Sequence, residues 1–183
     1  MILNRQQLES EIEKGLVQDY IDLETQLTPQ GFDLTAGEIH RYRSSGSLDF
    51  SNSEREIPDT EKVEPVKRSE DDEYGWWRLE PGAYKVVMNE RVDIPENLTA
   101  FAYPRSSLLR MGCSIENAVW DAGYTGTGSF MLVVENEDGV EIKENARVNQ
   151  LDIKENARVN QLVFHKIDET EEGYSGRYHE GEV

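Results

Sequence analysis

From Thr28 onward the sequence shows no long helical period. Its apolar residues fall in short or alternating runs at 31–36, 83–88, 98–103, 129–134 and 159–167, punctuated by turn-forming residues. Runs of that length bury one face as strands, and several in series close into a sandwich or barrel. An all-β fold is therefore expected. The exception is the start of the chain. Asn4 as N-cap, Gln7 three residues later, Leu8 and Ile12 on one face and Gly15 as the stop predict one short helix over 4–15. A length of 183 residues suffices for one good core but not two, so a single domain over 1–183 is expected.

Charge narrows the function. A formal net charge of -18 opposes binding to DNA or RNA as polymers, which need a basic face to neutralise phosphate. The acidity and the scarcity of lysine match what salt-adapted proteins use for solubility. Any small anionic substrate must then meet locally placed arginines or a metal ion that reverse the sign of the field. The single cysteine, Cys113, can form no internal disulfide and reads as a small core hydrophobe. No apolar run reaches the ~20 residues of a membrane-spanning helix, and MILNRQQLESEIEKG lacks the pattern of a signal peptide. A cytoplasmic protein with no membrane partner is expected.

Three segments stand apart. Residues 44–75, rich in Ser, Asp, Glu, Lys and Pro, read as a long surface excursion with at most one or two strands. Residues 168–183 are polar and glycine-containing, a tail that stays mobile unless something such as a ligand ties it down. The ten residues Ile142–Leu151 recur as Ile153–Leu162, offset by 11. An odd offset reverses side-chain phase, so both copies cannot continue one strand with the same face buried. The period is too short for a solenoid and points to a tandem duplication. The second copy, running into Leu162-Val163-Phe164, is expected to be the one in register.

Chemistry concentrates in two strings. Pro104-Arg105-Ser106-Ser107-Leu108-Leu109-Arg110 sets two cations and two hydroxyls at a predicted helix start, where free backbone N–H groups also point outward. That combination suits a triphosphate; it also suits a Ser-capped surface helix flanked by two arginines. Trp120-Asp121-Ala122-Gly123-Tyr124-Thr125-Gly126 reads as a tight turn around an aromatic, with Asp121 able to orient water or simply to make the turn.

Taken together with Leu79-Glu80-Pro81-Gly82, Arg91-Val92-Asp93-Ile94-Pro95, Ala157–Phe164, Gly31-Phe32-Asp33-Leu34 and Tyr174-Ser175-Gly176-Arg177-Tyr178, these strings resemble the dCTP deaminase/dUTPase superfamily over roughly residues 2–178, and most closely its archaeal dUTPase branch. The resemblance implies a distorted jelly-roll β-barrel, assembled as a homotrimer with active sites shared between subunits. It implies hydrolysis of dUTP to dUMP and pyrophosphate with Mg2+, in dUTP removal and dUMP supply for thymidylate synthesis. Arg105, Ser106, Ser107 and Arg110 resemble its phosphate-binding motif, and Gln161, or Gln150 from the first repeat copy, its phosphate-contacting glutamine. The segment from Val119 and Trp120 to Phe130 would hold uracil by backbone hydrogen bonds, with Tyr124 near the sugar. Arg177 and the tail aromatics would close over the triphosphate. Asp33 resembles an aspartate near the metal, acting through water. Asp121 would be the general base for in-line attack of water on the α-phosphorus.

The same fold hosts dCTP deaminases, which carry a glutamate five residues past the second Gly of the turn. Here Met131 stands there, or Val133 if Thr127 and Gly128 are an insertion, with Glu135 two residues further. The proton carrier of a deaminase is thus missing, and the His-x-Glu and Pro-Cys-x-x-Cys ligands of zinc deaminases are absent. A third reading is a nucleotide-binding trimer rendered inactive by the duplication.

Overall fold

Each of the five strand-like runs becomes a strand, and the pairing follows from which face each one buries. The computed structural model describes residues 1–144, 157–170 and 172–178. The N-terminal part comprises α1 (Arg5–Ile12), β1 (Val17–Gln18), α2 (Leu23–Gln26), β2 (Phe32–Tyr42), β3 (Thr60–Lys62) and β4 (Trp76–Leu79). Then follow β5 (Gly82–Asp93), β6 (Leu98–Pro104), α3 (Ser106–Arg110), β7 (Cys113–Glu116), β8 (Thr125–Val134), β9 (Val140–Lys143) and β10 (Arg158–Lys166).

The main sheet runs β6-β10-β2-β5-β8-β7, with β1 added to β5 and β3 to β2, while β4 and β9 pair separately. After β7 the chain turns back, and Trp120 and Ala100 exchange backbone hydrogen bonds of 2.9 and 3.0 Å. That bridge brings the far edge of the sheet back to β6 and nearly closes it. The expected all-β, distorted jelly-roll barrel with one short N-terminal helix is what the chain forms.

Period-2 alternation fills the barrel. Tyr84, Val86, Met88 and Val92 of β5 point inward opposite Phe130, Leu132 and Val134 of β8, and Leu162 and Phe164 of β10 close the core with no exposed surface. Burying each such side chain stabilises by about 1.5–3 kcal/mol. Strand β2 departs from alternation. Phe32 through Ala36 are all buried, because α2 and two arginines cover the face that would otherwise meet solvent. Helix α1 starts at the predicted capping box, in which the Gln7 N–H donates to Asn4 Oδ1 at 3.0 Å and the Asn4 N–H to Gln7 Oε1 at 3.1 Å. Gly15 lies beyond its end at φ +106°.

The second repeat copy supplies β10, with Leu162 paired to Phe32 on one side and Ala102 on the other. The first copy gives Ile142 and Lys143 to β9, opposite Trp77 and Trp76. The described residues of the two copies therefore lie in different strands, so no single strand has to bury both phases. Gln150 lies outside the described residues. The excursion 44–75 contains β3 alone as a named strand, plus single bridges of Ser47 with Glu56 and Val66 with Trp76. Among the described residues, no helix is long and apolar enough to cross a membrane. Cys113 is buried in the core, and burial pushes its thiol pKa up.

Candidate active site

Strand β6 ends at Pro104, and the Arg105 N–H turns to donate to the Val159 carbonyl of β10 at 3.3 Å, which aims the first turn of α3 outward. The N-cap of α3 is Arg105 and no side chain caps it, so Ser106 and Ser107 are exposed first-turn residues. That corrects the alternative of a Ser-capped helix. The first-turn amides are left for solvent or a ligand. Arg110, one turn on, donates to the Ser106 hydroxyl at 3.4 Å.

What fixes Arg105 is a buried carboxylate. Asp33 on β2 faces the same side as Gln161, its register partner; Oδ2 accepts from Arg158 Nη1 at 3.0 Å and forms an ion pair with Arg105 Nε, also at 3.0 Å. Burial pushes the Asp33 carboxyl up, and the two guanidinium groups pull it back. With its side chain 2% exposed, Asp33 is the anchor of two cations. The geometry thus gives it a task that the resemblance did not indicate, holding Arg105 and Arg158. Among the described residues there is no cluster of three or more His, Cys, Asp or Glu able to hold a metal ion. A divalent cation would have to draw its oxygen ligands mainly from phosphates and water, which Mg2+ accepts. Arg158, which sequence reasoning passed over, shares this anchor; its only sequence signal was membership of the Ala157–Phe164 string.

Gln161 donates to the Thr28 hydroxyl at 2.6 Å and passes so close to Gly31 that a Cβ there would meet its Cγ at 2.9 Å. Beside it, the fully buried Asn160 donates to Asn117 Oδ1 at 2.9 Å and accepts from the Gln161 N–H at 3.0 Å, fixing the backbone that presents the glutamine. Arg105, Ser106, Ser107, Arg110, Arg158 and Gln161 are therefore grouped around the start of α3 as one candidate half-site.

Asp121 belongs to a second candidate half-site. Its carboxylate is exposed, and its carbonyl accepts from the Tyr124 N–H at 3.2 Å to close the turn. The Gly123 N–H donates to the Ile94 carbonyl and the Ile94 N–H to the Tyr124 carbonyl, each at 2.8 Å, so the Arg91–Pro95 string clamps the turn. Gly123 has φ +78°, where a side chain would be strained. Trp120 and Tyr124 are buried edge to face with centroids 5.4 Å apart, and burial raises the Tyr124 phenol, keeping it a neutral donor. Val119 is exposed. The tail lies over this turn. The Tyr174 N–H donates to the Ala122 carbonyl at 2.8 Å, and its ring meets Tyr124 edge to face at 5.4 Å. Arg177 is exposed in the same segment.

Within one chain the half-sites stay apart. The bridge of Trp120 with Ala100 sets Asp121 level with Thr99, and Arg105, just past the end of β6, lies six residues further along the chain; at ~3.3 Å per extended residue that is up to roughly 20 Å. Between them the outer surface exposes Phe101, Tyr103 and Val119, apolar side chains of the kind that contact another molecule. Met131 and Val133 point outward from β8 as half-buried apolar residues, and Glu135 stands past the strand end, its N–H bonded to Gly112. Glu135 is thus ten residues of strand away from the Asp121 turn, about 30 Å in extended chain.

Comparison with known proteins agrees with this architecture. A family model described as dCTP deaminase-like matches residues 2–167. A Methanococcoides burtonii protein named "Probable deoxyuridine 5'-triphosphate nucleotidohydrolase" is 45% identical over 163 residues, covering 89% of this chain and 86% of that protein. An Archaeoglobus fulgidus protein of the same name is 38% identical over 178 residues, covering 97% and 95%. Among solved structures, the 2'-deoxycytidine 5'-triphosphate deaminase from Agrobacterium tumefaciens superposes with TM-score 0.58 at 19% identity, covering 89% of this chain and 47% of that longer one; this likeness concerns the fold. Matched from Ile2 to Ile167 by the family model and at 38% to 45% identity by relatives of similar length, the chain belongs to the dCTP deaminase-like family.

Proposed function

We propose that the chain is a dUTP diphosphatase: water attacks the α-phosphorus of dUTP, the bond to the β-phosphate bridging oxygen breaks, and dUMP and pyrophosphate leave. The observation that carries this reading is the Arg105 half-site, in which a buried carboxylate holds two guanidinium groups beside two serines and an uncapped helical turn. Charge-assisted bonds from such a cluster suit a polyphosphate. The names of the curated relatives support the substrate.

In this reading Arg105, Ser106, Ser107, Arg110 and Gln161 bind the phosphates. Arg158 positions Arg105 through Asp33, the Val119–Phe130 segment takes the base and sugar, and Arg177 reaches the triphosphate from the tail. Mg2+ held by phosphate oxygens would neutralise part of the substrate charge. Asp121 accepts the proton of the attacking water. The separation of up to roughly 20 Å between Asp121 and Arg105 in one chain supports a homotrimer in which one subunit supplies the phosphate half-site and its neighbour the carboxylate. A cytoplasmic place, with no membrane or polymeric nucleic acid as partner, fits the substrate.

The test is incubation of the protein with dUTP and, separately, dCTP in the presence of Mg2+, following pyrophosphate and ammonia. Pyrophosphate from dUTP without ammonia from dCTP is the expected result. Ammonia from dCTP would replace the proposal with a deaminase, and nucleotide binding with neither product would make the chain an inactive binder.

A further inference from the structure

Within the excursion 44–75, residues 47–56 are a stiff loop. Ser47 and Glu56 exchange backbone hydrogen bonds of 3.0 Å, and Asp49 accepts from the N–H groups of Ser51 and Glu54, each at 3.0 Å. The Ser51 hydroxyl and these amides hold the Asp49 carboxyl down at about 2, so the loop keeps its anchoring charge over any ordinary pH. Between residues 50 and 57 only Arg55 is partly buried. Its guanidinium lies over the ring of Tyr178 in the tail, 5.9 Å from the centroid.

From Tyr178 the contacts lead straight to the Asp121 turn. The Tyr178 N–H donates to the Tyr174 hydroxyl at 3.3 Å, and the Tyr174 N–H donates to Ala122. Gly173 packs so tightly on Gly123 that a Cβ on Gly123 would stand 2.9 Å from Gly173 Cα. A polar, glycine-containing tail of this kind has little apolar surface of its own to hold it down. The cation over the Tyr178 ring supplies a hold from outside the barrel, on a loop whose own hydrogen bonds keep it in place.

We propose that Arg55 is a positioning residue: through Tyr178 it latches residues 173–178 over the Asp121–Gly126 turn, so that loop and tail form one cover for the base and sugar end of the nucleotide. The last clause rests on the reading of that turn as part of the dUTP site. The latch itself does not. Arg55 touches no reacting atom in this scheme; it sets how often the cover is in place, and therefore acts on substrate capture more than on chemistry.

Hydrogen exchange of the ligand-free, full-length protein tests the latch. A cation–π contact at a partly exposed position corresponds to about a two- to fivefold effect on local opening. Arg55→Ala is expected to speed exchange of the Tyr178 amide by that factor, Arg55→Lys to restore most of the protection, and Tyr178→Leu to match Arg55→Ala with no further gain in the double variant. With dUTP as substrate, Arg55→Ala is expected to raise KM about two- to fivefold and to leave kcat within a factor of two. Unchanged exchange in both Arg55→Ala and Tyr178→Leu overturns the latch whatever the enzyme does. Faster exchange with an unchanged KM overturns its role in substrate capture. Faster exchange in a protein that turns over no dUTP upholds the latch and rejects the substrate reading alone.

Discussion

Two carboxylates show how burial decides what the same functional group does. Asp121 is exposed at a clamped turn, where it can meet water, and loss of a positioned base typically costs 10²–10⁴ in rate. Asp121→Asn is therefore expected to lower kcat for dUTP by that range while the melting temperature stays near that of the parent, checked by pyrophosphate release and calorimetry. Glu90 is the opposite case. It is fully buried, and its oxygens are met by neutral donors: the Thr35 N–H at 3.0 Å, the Thr35 hydroxyl at 2.6 Å and Gln26 Nε2 at 2.8 Å. Burial raises its pKa against those donors. A raised folded-state value means that the stabilisation is complete below the ordinary carboxyl range and is lost as pH rises through the raised value. Glu90→Gln is expected to melt at nearly the parent temperature at pH 4 and above it at pH 8, measured by thermal denaturation of both proteins side by side. Asp121 was legible in the sequence because a carboxylate between Trp120 and a Gly-x-x-Gly turn resembles a known string. Glu90 and the Asp33 anchor were not, because nothing local in Asn89-Glu90-Arg91 or Phe32-Asp33-Leu34 tells which side chain ends up beneath two other segments.

At the level of elements, alternation carried the reading of β5, β6, β8 and β10, since strands half-covered by a core print their period in the sequence. Their ends were less visible. Strand β2 runs to Tyr42 and β5 to Asp93, well past the apolar runs, because pairing with β3 and β1 supports polar residues there. The repeat shows both sides of the argument: phase alone excluded one strand that buries the same face of both copies, whereas the pairing of Ile142 with Trp77 depends on β4, whose four residues carry too little pattern to read. Glycines in β8 have a packing reason. The Trp120 ring lies against Gly128 so closely that a Cβ would sit 2.0 Å from its edge. Gly128→Ala should force Trp120 off Tyr124 and destabilise the protein by about 1–3 kcal/mol, read by denaturant titration with tryptophan fluorescence. Phe164→Ala, at a site with no exposed surface, should cost about 3–5 kcal/mol in the same titration.

For the whole molecule, the separation of the half-sites has a test that needs no structure. If one chain supplies Arg105 and another Asp121, co-expressed Arg105→Ala and Asp121→Asn chains will form mixed trimers. With equal, random assortment, half of the sites receive an intact arginine and half of those an intact aspartate, so about a quarter of parental activity should return from two inactive variants. No recovery in verified mixed assemblies would mean that the two residues do not meet across a subunit boundary. The expectation of a trimer comes through family resemblance alone; strand periodicity says nothing about what covers Phe101 and Tyr103.

The sharing of Asp33 between two guanidinium groups has a further consequence for how substrate arrives. Of the two positive charges, one is cancelled by the aspartate, so the pair and its anchor offer a single net plus sign to an incoming polyanion, against a formal charge of -18 for the chain. Dissolved salt screens distant repulsion more than close pairing, over about 10 Å at 0.1 M. Turnover at low dUTP concentration should thus quicken as potassium chloride is raised from a few millimolar toward that strength: the ionic atmosphere, more than the protein's own field, opens the approach.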